Sequence, residues 1–152
     1  MITQKAKYAL KALVALARAP AGKPSSIRDL ATRETIPQSF LEQILIELRR
    51  AGVIESRRGK EGGYLLASDP STIRLGQVLR LIDGPLAPLP CLSRTAYRRC
   101  PDCADEASCT VRRVFTDMYE ATVSIMDRTT LADAIATPEP ANDEPQGLVI
   151  AR

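Results

Sequence analysis

The 152-residue sequence predicts a mainly α fold that carries one small β-hairpin and ends in a long amphipathic helix. Three observations support this fold class. Apolar residues recur at intervals of three and four in several segments that Pro and Gly residues separate. Two short strand candidates flank one glycine-bearing turn. Residues 105–128 carry a single long apolar stripe.

The first two helices are delimited by local signals. The first is predicted from Thr3 to Arg18, and Pro20 with Gly22 ends its apolar pattern. Ser26, followed three residues later by Asp29, predicts the capped start of a short second helix.

A third helix and a hairpin follow. Ile36–Pro37 breaks the second helix, Pro37 suits the first turn of the third, and Gly52 ends that helix. Two short helices around a tight turn, the second well capped, predict a helix-turn-helix. Strands are predicted at Val53–Arg57 and Gly63–Leu66, joined by a basic turn at 58–62. A basic hairpin directly after a helix-turn-helix is a wing, so residues 1–83 are predicted to form a winged helix-turn-helix DNA-binding domain.

The second half of the chain predicts four segments. Ser71–Asp83 is an amphipathic helix that is expected to pack on the first helix, and residues 84–104, with four prolines and no periodicity, form a loop. A long helix from about 105 to 128 and a short turn at 130–136 make up a dimerisation region, because little chain is left to cover the helix stripe. Residues 137–152 are predicted to be a disordered tail. The stripe consists of Val111, Val114, Phe115, Met118, Thr122 and Ile125.

Composition narrows the function classes. Residues 1–67 hold twelve Lys or Arg against six Asp or Glu, whereas the rest of the chain holds nine against twelve. A basic first half is typical of a module that binds nucleic acid. The absence of histidine removes the usual general base, and no phosphate-binding loop occurs, so we expect no enzyme activity. No long apolar run or secretory signal is present, which predicts a cytoplasmic protein.

Candidate DNA contacts follow from the predicted fold. Early residues of the second helix of a helix-turn-helix meet base edges in the major groove, and Gln and Glu can pair with adenine and cytosine there. On the wing, basic residues reach the minor groove or phosphates. The predicted DNA-binding residues are Gln38, Ser39, Glu42 and Gln43 on the helix, Arg58, Gly59 and Lys60 on the wing, and more weakly Tyr8, Arg28 and Lys5.

All four cysteines, Cys91, Cys100, Cys103 and Cys109, fall within nineteen residues. In a cytosolic chain, such a cluster favours metal or redox chemistry over structural disulfides. Thiolates without competing histidine favour an iron-sulfur cluster or zinc, and a metal-free thiol or disulfide switch is the remaining alternative. Four cysteines suit a 2Fe-2S or a 4Fe-4S cluster equally.

Several motifs of the sequence are typical of one family of DNA-binding proteins. They are Lys7-Tyr8-Ala9-Leu10, Phe40-Leu41-Glu42-Gln43-Ile44-Leu45, Leu48-Arg49-Arg50-Ala51-Gly52, Arg58-Gly59-x-x-Gly62-Gly63-Tyr64-x-Leu66-Ala67 and the run from Ile73 to Leu86, followed by Cys91. With these motifs, the chain resembles the Rrf2 family of winged-helix transcription regulators over roughly residues 1–135. The resemblance implies a homodimer crossed by its long C-terminal helices, a palindromic DNA site and, in many members, a cluster held in the loop before that helix. Such a protein is expected to be a transcription repressor.

The resemblance also bears on the cysteines. Cluster-binding relatives usually carry three cysteines that end in a Cys-x5-Cys pair, which Cys103 and Cys109 reproduce, while Cys91 matches the first ligand. This chain departs from them by the additional Cys100 and a longer first gap. Some relatives complete the site with a later histidine, which this sequence does not contain. A fourth cysteine could take that place, which would make an all-cysteine cluster within one subunit.

Overall fold

A computed structural model describes residues 2–136, and it confirms the mainly helical fold with a small sheet. The predicted disordered tail lies outside the described residues. Within them, the helices are α1 Gln4–Ala17, α2 Ile27–Glu34, α3 Gln38–Arg50, α4 Leu75–Asp83, α5 Thr110–Arg128 and α6 Leu131–Ala136, and the strands are β1 Ile54–Arg57 and β2 Gly63–Leu66. No helix in this part of the chain is both long and apolar enough to cross a membrane.

Helix α1 lies at the centre of the larger hydrophobic core. It packs against α2, α3, α4 and α6, and the contact with α4 is the predicted one. Small side chains on α1 allow this close approach, since Ala9 and Ala12 are completely buried. From the other elements, Leu30, Leu45 and Leu131 are buried to the same degree. We call this unit, residues 2–83 together with α6, the helical head.

The helix-turn-helix forms as predicted, with one difference at the start of α3. Ser26 Oγ accepts a hydrogen bond from the Asp29 backbone N–H at 3.1 Å, so the second helix is capped by its own sequence. Thr35 adopts the left-handed conformation with a φ of 54° and ends that helix. Pro37 is the N-cap of α3 and makes no side-chain capping bond. The N-terminus of α3 therefore has no side-chain cap, because proline has no polar side-chain atom, whereas Gly52 ends the helix as predicted, with a φ of 73°.

Strands β1 and β2 pair antiparallel in the predicted wing, with Ile54 opposite Leu66 and Arg57 opposite Gly63. Ile54 is buried in the core of the helical head. The C-terminal half of α3 is joined to the wing by Arg49, whose Nη1 donates to Ser56 Oγ at 3.3 Å. The wing therefore projects from the head at a fixed position beside α3.

The helix predicted from Ser71 begins instead at Leu75, after a short 3-10 turn at Pro70–Thr72. Long-range backbone pairing explains the difference. The Leu75 N–H donates to the Thr129 carbonyl at 3.0 Å, and the Leu131 N–H donates to the Ile73 carbonyl at 2.8 Å. These bonds require an extended backbone at 73–74, so tertiary pairing overrides the helical pattern.

The long helix also begins later than predicted, at Thr110 rather than near 105. Asp105 accepts hydrogen bonds from the backbone N–H groups of Ala107 and Ser108 at 3.2 and 3.0 Å, and the resulting turn delays the helix. The loop thus extends from 84 to 109, with one short 3-10 turn at Pro90–Leu92.

The apolar stripe of α5 is largely exposed, as the sequence suggests. Between 53 and 60% of the surface of Val111, Val114, Met118 and Ile125 is accessible in the single chain. Phe115 differs, because it packs against a small cluster formed by the loop and α5. The buried members of this loop cluster are Cys91, Leu92, Tyr119 and Val123.

Candidate nucleic-acid interface and cysteine site

The predicted recognition residues share one surface of α3. Gln38, Ser39, Glu42 and Gln43 are all exposed, while Leu41, Ile44, Leu45 and Leu48 on the opposite face are buried. Gln38 Nε2 donates to Glu42 Oε1 at 3.2 Å, which orients both side chains on the surface. The exposed face of α3 therefore carries donors and acceptors of the kind that read a DNA groove, while its opposite face packs in the core.

The weaker candidates lie on α1 and α2. Tyr8 is half-buried and makes an edge-to-face contact with Phe40 of α3, with ring centroids 5.7 Å apart. Arg28 is exposed in the first turn of α2. Lys5 forms an ion pair with Glu47 at 2.7 Å, so its charge is already compensated within the fold.

The wing residues Arg58, Gly59 and Lys60 form the exposed tip of the hairpin. Gly59 has a φ of 115°, a conformation that glycine adopts readily and other residues rarely do. The tight turn carries two exposed cations, which is a side-chain type expected of a wing that meets DNA phosphates.

All four cysteines are free thiols and line one cavity of about 520 Å³ between the loop and the first turn of α5. Cys91 is buried, and the other three are half-buried. The Cys103 N–H donates to the Cys100 carbonyl at 3.2 Å, so these two residues belong to one tight turn. Folding therefore brings together side chains that span nineteen positions of the sequence.

Cys91 and Cys100 interact directly. Partial burial, followed by hydrogen bonding to the Cys91 thiol, raises the pKa of the Cys100 thiol above its ordinary value. A raised pKa keeps the thiol protonated at neutral pH, so a metal or an oxidant must displace that proton.

Cys109 occupies a structural position as well. It is the N-cap of α5, and its Sγ accepts a hydrogen bond from the Arg112 backbone N–H at 3.4 Å. The Arg112 side chain turns back to the loop, where Nη1 donates to the Cys91 carbonyl at 2.6 Å and lies 3.4 Å from Glu106 Oε2. Arg112 thus joins the first and last cysteines to the beginning of the long helix.

The opposite end of α5 is attached to the helical head. Asp127 forms a bidentate ion pair with Arg80 of α4, with N–O distances of 2.6 to 2.8 Å. Gly76 makes this approach possible, because a Cβ there would lie 2.2 Å from Asp127 Oδ1. Arg74 Nη1 adds a hydrogen bond to the Asp127 carbonyl at 2.9 Å. The long helix therefore connects the cysteine cavity directly to the head.

The donor set fits a thiolate-ligated iron-sulfur cluster, since four soft ligands face one cavity. Zinc has a stricter requirement, because each sulfur must lie about 2.3 Å from a single ion. Among residues 2–136, no three Cys, Asp or Glu side chains converge closely enough to hold one metal ion. A mononuclear site would therefore require the loop to contract.

Sequence reasoning missed Arg112 and the pair formed by Arg80 and Asp127. Arg112 follows Cys109 by three positions, which was a usable signal for a helix-start contact, but its bond to Cys91 spans 21 positions. Arg80 and Asp127 are 47 positions apart, and no local pattern connects them.

Comparison with known proteins gives a consistent result. Residues 2–137 match the Rrf2 family model, which is described as an iron-dependent transcriptional regulator. A putative HTH-type transcriptional regulator of Rhodobacter capsulatus, rrf2-like, is 49% identical over 144 residues, covering 93% of this chain and 96% of that protein. The HTH-type transcriptional regulator CymR of Bacillus subtilis is 30% identical over 132 residues, covering 87% of each.

Solved structures are similar over nearly the same span. The structure of CymR, the global cysteine regulator of B. subtilis, has a TM-score of 0.76 at 29% identity and covers 91% of this chain and 98% of that one. The structure of T. potens IscR has a TM-score of 0.70 at 26% identity, covering 89% and 85% respectively.

Proposed function

The chain belongs to the Rrf2 family of transcriptional regulators, and we propose that it is a dimeric repressor whose affinity for a palindromic DNA operator depends on a cysteine-ligated iron-sulfur cluster. In this proposal, residues 1–83 bind DNA in the cytoplasm, residues 84–104 carry the sensor loop and residues 105–136 contain the dimerisation region. The observation that carries it is the single cavity shared by all four cysteines at the start of α5.

Cys91, Cys100, Cys103 and Cys109 would hold the cluster. When bound, the cluster supplies a redox-active, labile centre that responds to iron, oxidant or nitric oxide. Because Cys109 caps α5 and Arg112 joins that turn to Cys91, a change in the separation of these residues is transmitted to the long helix.

The exposed stripe of α5 supports a homodimer. Val111, Val114, Met118 and Ile125 recur at helical spacing along one face, which buries apolar surface only against a second chain. A small reorientation of paired α5 helices would change the spacing of the two heads, since α5 is tied to each head through Asp127. A coupling free energy of about 1 to 3 kcal/mol would change operator affinity usefully.

A metal-free thiol switch is the second candidate, and the packing of Cys100 against the loop cluster that contains Cys91 favours it. Oxidation by hydrogen peroxide would form a bond between the two sulfurs and break the O–O bond, and the two thiol protons and two electrons would pass to the peroxide oxygens to give two molecules of water. A CymR relative is named as a cysteine regulator, and a thiol mechanism is compatible with that description.

One experiment separates these functions. The protein would be purified without oxygen, analysed for iron, sulfide and zinc, and its visible absorption recorded. Its affinity for an operator duplex, selected by binding from a random-sequence pool, would then be compared in the loaded and metal-free forms. Iron and sulfide in proportion, visible bands and about a 5- to 150-fold change in affinity support the cluster regulator.

A colourless protein whose DNA affinity changes only on disulfide formation would favour the thiol switch instead. A zinc-bearing protein whose DNA affinity is unchanged by any treatment would contradict both sensing mechanisms.

Arg112→Gln tests the transmission step. We expect the visible spectrum of the cluster to persist. The difference in DNA affinity between the loaded and metal-free forms should become smaller, because the variant weakens the connection between Cys91 and α5. Arg113→Gln is the matched control, since its side chain is exposed one position further along the helix. An unchanged difference in DNA affinity in Arg112→Gln would show that the signal takes another route.

A further inference from the structure

The connection between α1 and α2 runs alongside the wing. Ser25 pairs with Tyr64 of β2 through two backbone hydrogen bonds of 2.8 and 2.9 Å, so the connection adds a third, very short strand to the hairpin. Gly63 permits this approach, because a Cβ at that position would lie 2.4 Å from the Ser25 carbonyl oxygen. Arg57 adds a hydrogen bond from Nη1 to the Gly22 carbonyl at 3.2 Å.

These contacts place Lys23 on the flank of the wing. The connection and the wing enclose an open groove of about 710 Å³, which we call the flank groove. Four cations line it, Lys23, Arg57, Arg58 and Lys60, against the single carboxylate of Glu61. Lys23 is exposed, and no described carboxylate lies within ion-pair distance of its ammonium group.

The charge of the flank groove and its position indicate its ligand. A DNA duplex carries one negative charge per about 1.7 Å of its axis, so phosphates continue past whatever point the wing tip reaches. A cation held beside the wing therefore meets the backbone next to the wing contact. Lysine offers a compact point charge without the planar geometry that reads a base, so such a contact is independent of sequence.

We propose that the flank groove is an additional binding surface for the DNA phosphate backbone and that Lys23 is its principal contact. The proposal rests on the proposed DNA-binding function and extends it beyond α3 and the wing tip. Because the connection is bonded to β2 at Ser25, the lysine moves with the wing as one unit. The α1–α2 connection thereby lengthens the footprint of each head along the duplex.

The test uses the full-length protein and measures dissociation constants by fluorescence anisotropy over a range of salt concentrations. The probes are the selected operator duplex and an unrelated duplex of equal length. For Lys23→Gln we expect a several-fold rise in Kd on both, and a slope of log K against log salt that is shallower by about 0.9 per head. Lys23→Arg should retain both the affinity and the slope of the unmodified protein.

Arg128→Gln is the matched control, because it removes one positive charge at the exposed end of α5, outside the flank groove. We expect it to leave the slope unchanged. Equal losses in Arg128→Gln and Lys23→Gln would assign the effect to net charge and overturn the proposal. A loss confined to the operator duplex would likewise overturn it, since a phosphate contact cannot distinguish sequences.

Failure of the proposed DNA-binding function and failure of the flank-groove proposal give different results. If the unmodified protein binds neither duplex, the proposed DNA-binding function fails and the flank groove has no DNA ligand. If the unmodified protein binds and Lys23→Gln matches it in Kd and slope, only the flank groove is rejected. Circular dichroism of the variant checks for misfolding, and Lys23 is exposed, so its replacement leaves the buried residues of the core unchanged.

Discussion

The helical head and the cysteine loop are stabilised in different ways. The head buries sixteen residues in one cluster, with leucine and isoleucine from α2, α3 and the wing packed around α1. The loop cluster buries four residues, and polar bonds to the backbone from Arg99 and Arg112 support the rest of the loop. The difference indicates that the head is packed more firmly than the loop, which is the arrangement that the proposed function requires of a sensor loop attached to a DNA-binding head.

Leu45→Ala tests how firmly the helical head is packed. Leu45 is completely buried, so truncation should lower the free energy of unfolding by about 2 to 5 kcal/mol. Leu92→Ala in the loop cluster is the matched substitution, and we expect a smaller loss because its surroundings can relax. Denaturant unfolding at one fixed protein concentration would measure both. Equal losses would show that the loop is as firmly packed as the head.

Removal of the ion pair between Arg80 and Asp127 is expected to have the next largest effect on the free energy of unfolding. This pair attaches the end of α5 to the head. The Asp127 side chain is 39% exposed, so solvent screening reduces the contribution of the pair to about 1 kcal/mol. A double-mutant cycle with Arg80→Met and Asp127→Asn would measure the coupling energy. Additive effects of the two substitutions would mean that the end of α5 is held by Arg74, the backbone bonds at Thr129 and Leu131, and apolar packing, without a contribution from the ion pair.

Local signals account for the parts of the fold that the sequence predicts. Ser26 caps α2 through its own side chain, and Gly52 follows α3, so these boundaries depend on neighbours along the chain. The late start of α4 depends on pairing with Thr129, and that of α5 depends on the turn at Asp105. Such boundaries are decided by competing bonds that apolar periodicity does not report.

The candidate sites also differ in whether they depend on local sequence or on contacts between distant residues. The exposed face of α3 follows from helical periodicity, whereas the flank groove depends on a backbone pairing between Ser25 and Tyr64, which are 39 positions apart. The cysteine cluster is visible in the spacing, but the attachment of Arg112 to Cys91 arises only when the loop folds back. Contacts between distant positions are therefore what sequence patterns omit.

Cys109 is both a proposed cluster ligand and the N-cap of α5, and two substitutions distinguish these roles. Cys109→Ala should lose the cap of α5 and destabilise that helix by about 0.5 to 1 kcal/mol, near the low end because sulfur is a weak acceptor. Cys109→Ser should keep the cap, since serine is a preferred N-cap residue, while still removing the thiolate. Circular dichroism would compare the helix content, and iron analysis would compare metal retention. Equal helix content in both variants would show that Cys109 has no capping role.

The smallest expected effect is a pH dependence of the free energy of unfolding that arises at α6, which belongs to the helical head. Thr130 and Asp133 form a capping box: the Thr130 N–H donates to Asp133 Oδ2 at 2.8 Å, and the Asp133 N–H donates to Thr130 Oγ1 at 3.1 Å. Hydrogen bonds from the Thr130 side chain and backbone lower the pKa of Asp133 below its ordinary value of 3.8. The stabilisation is therefore complete above that value and is lost as the pH falls through the lowered pKa.

Asp133→Ala should unfold more easily than the unmodified protein at pH 7, and the difference should shrink below pH 3.8, once the native carboxyl is protonated. Thr130→Val removes the hydroxyl donor and should weaken the same pH dependence while leaving the carboxylate in place. Denaturant unfolding at several pH values would measure all three proteins. A difference that persists undiminished in acid would mean that Asp133 acts through packing of α6 on the head, independently of its charge.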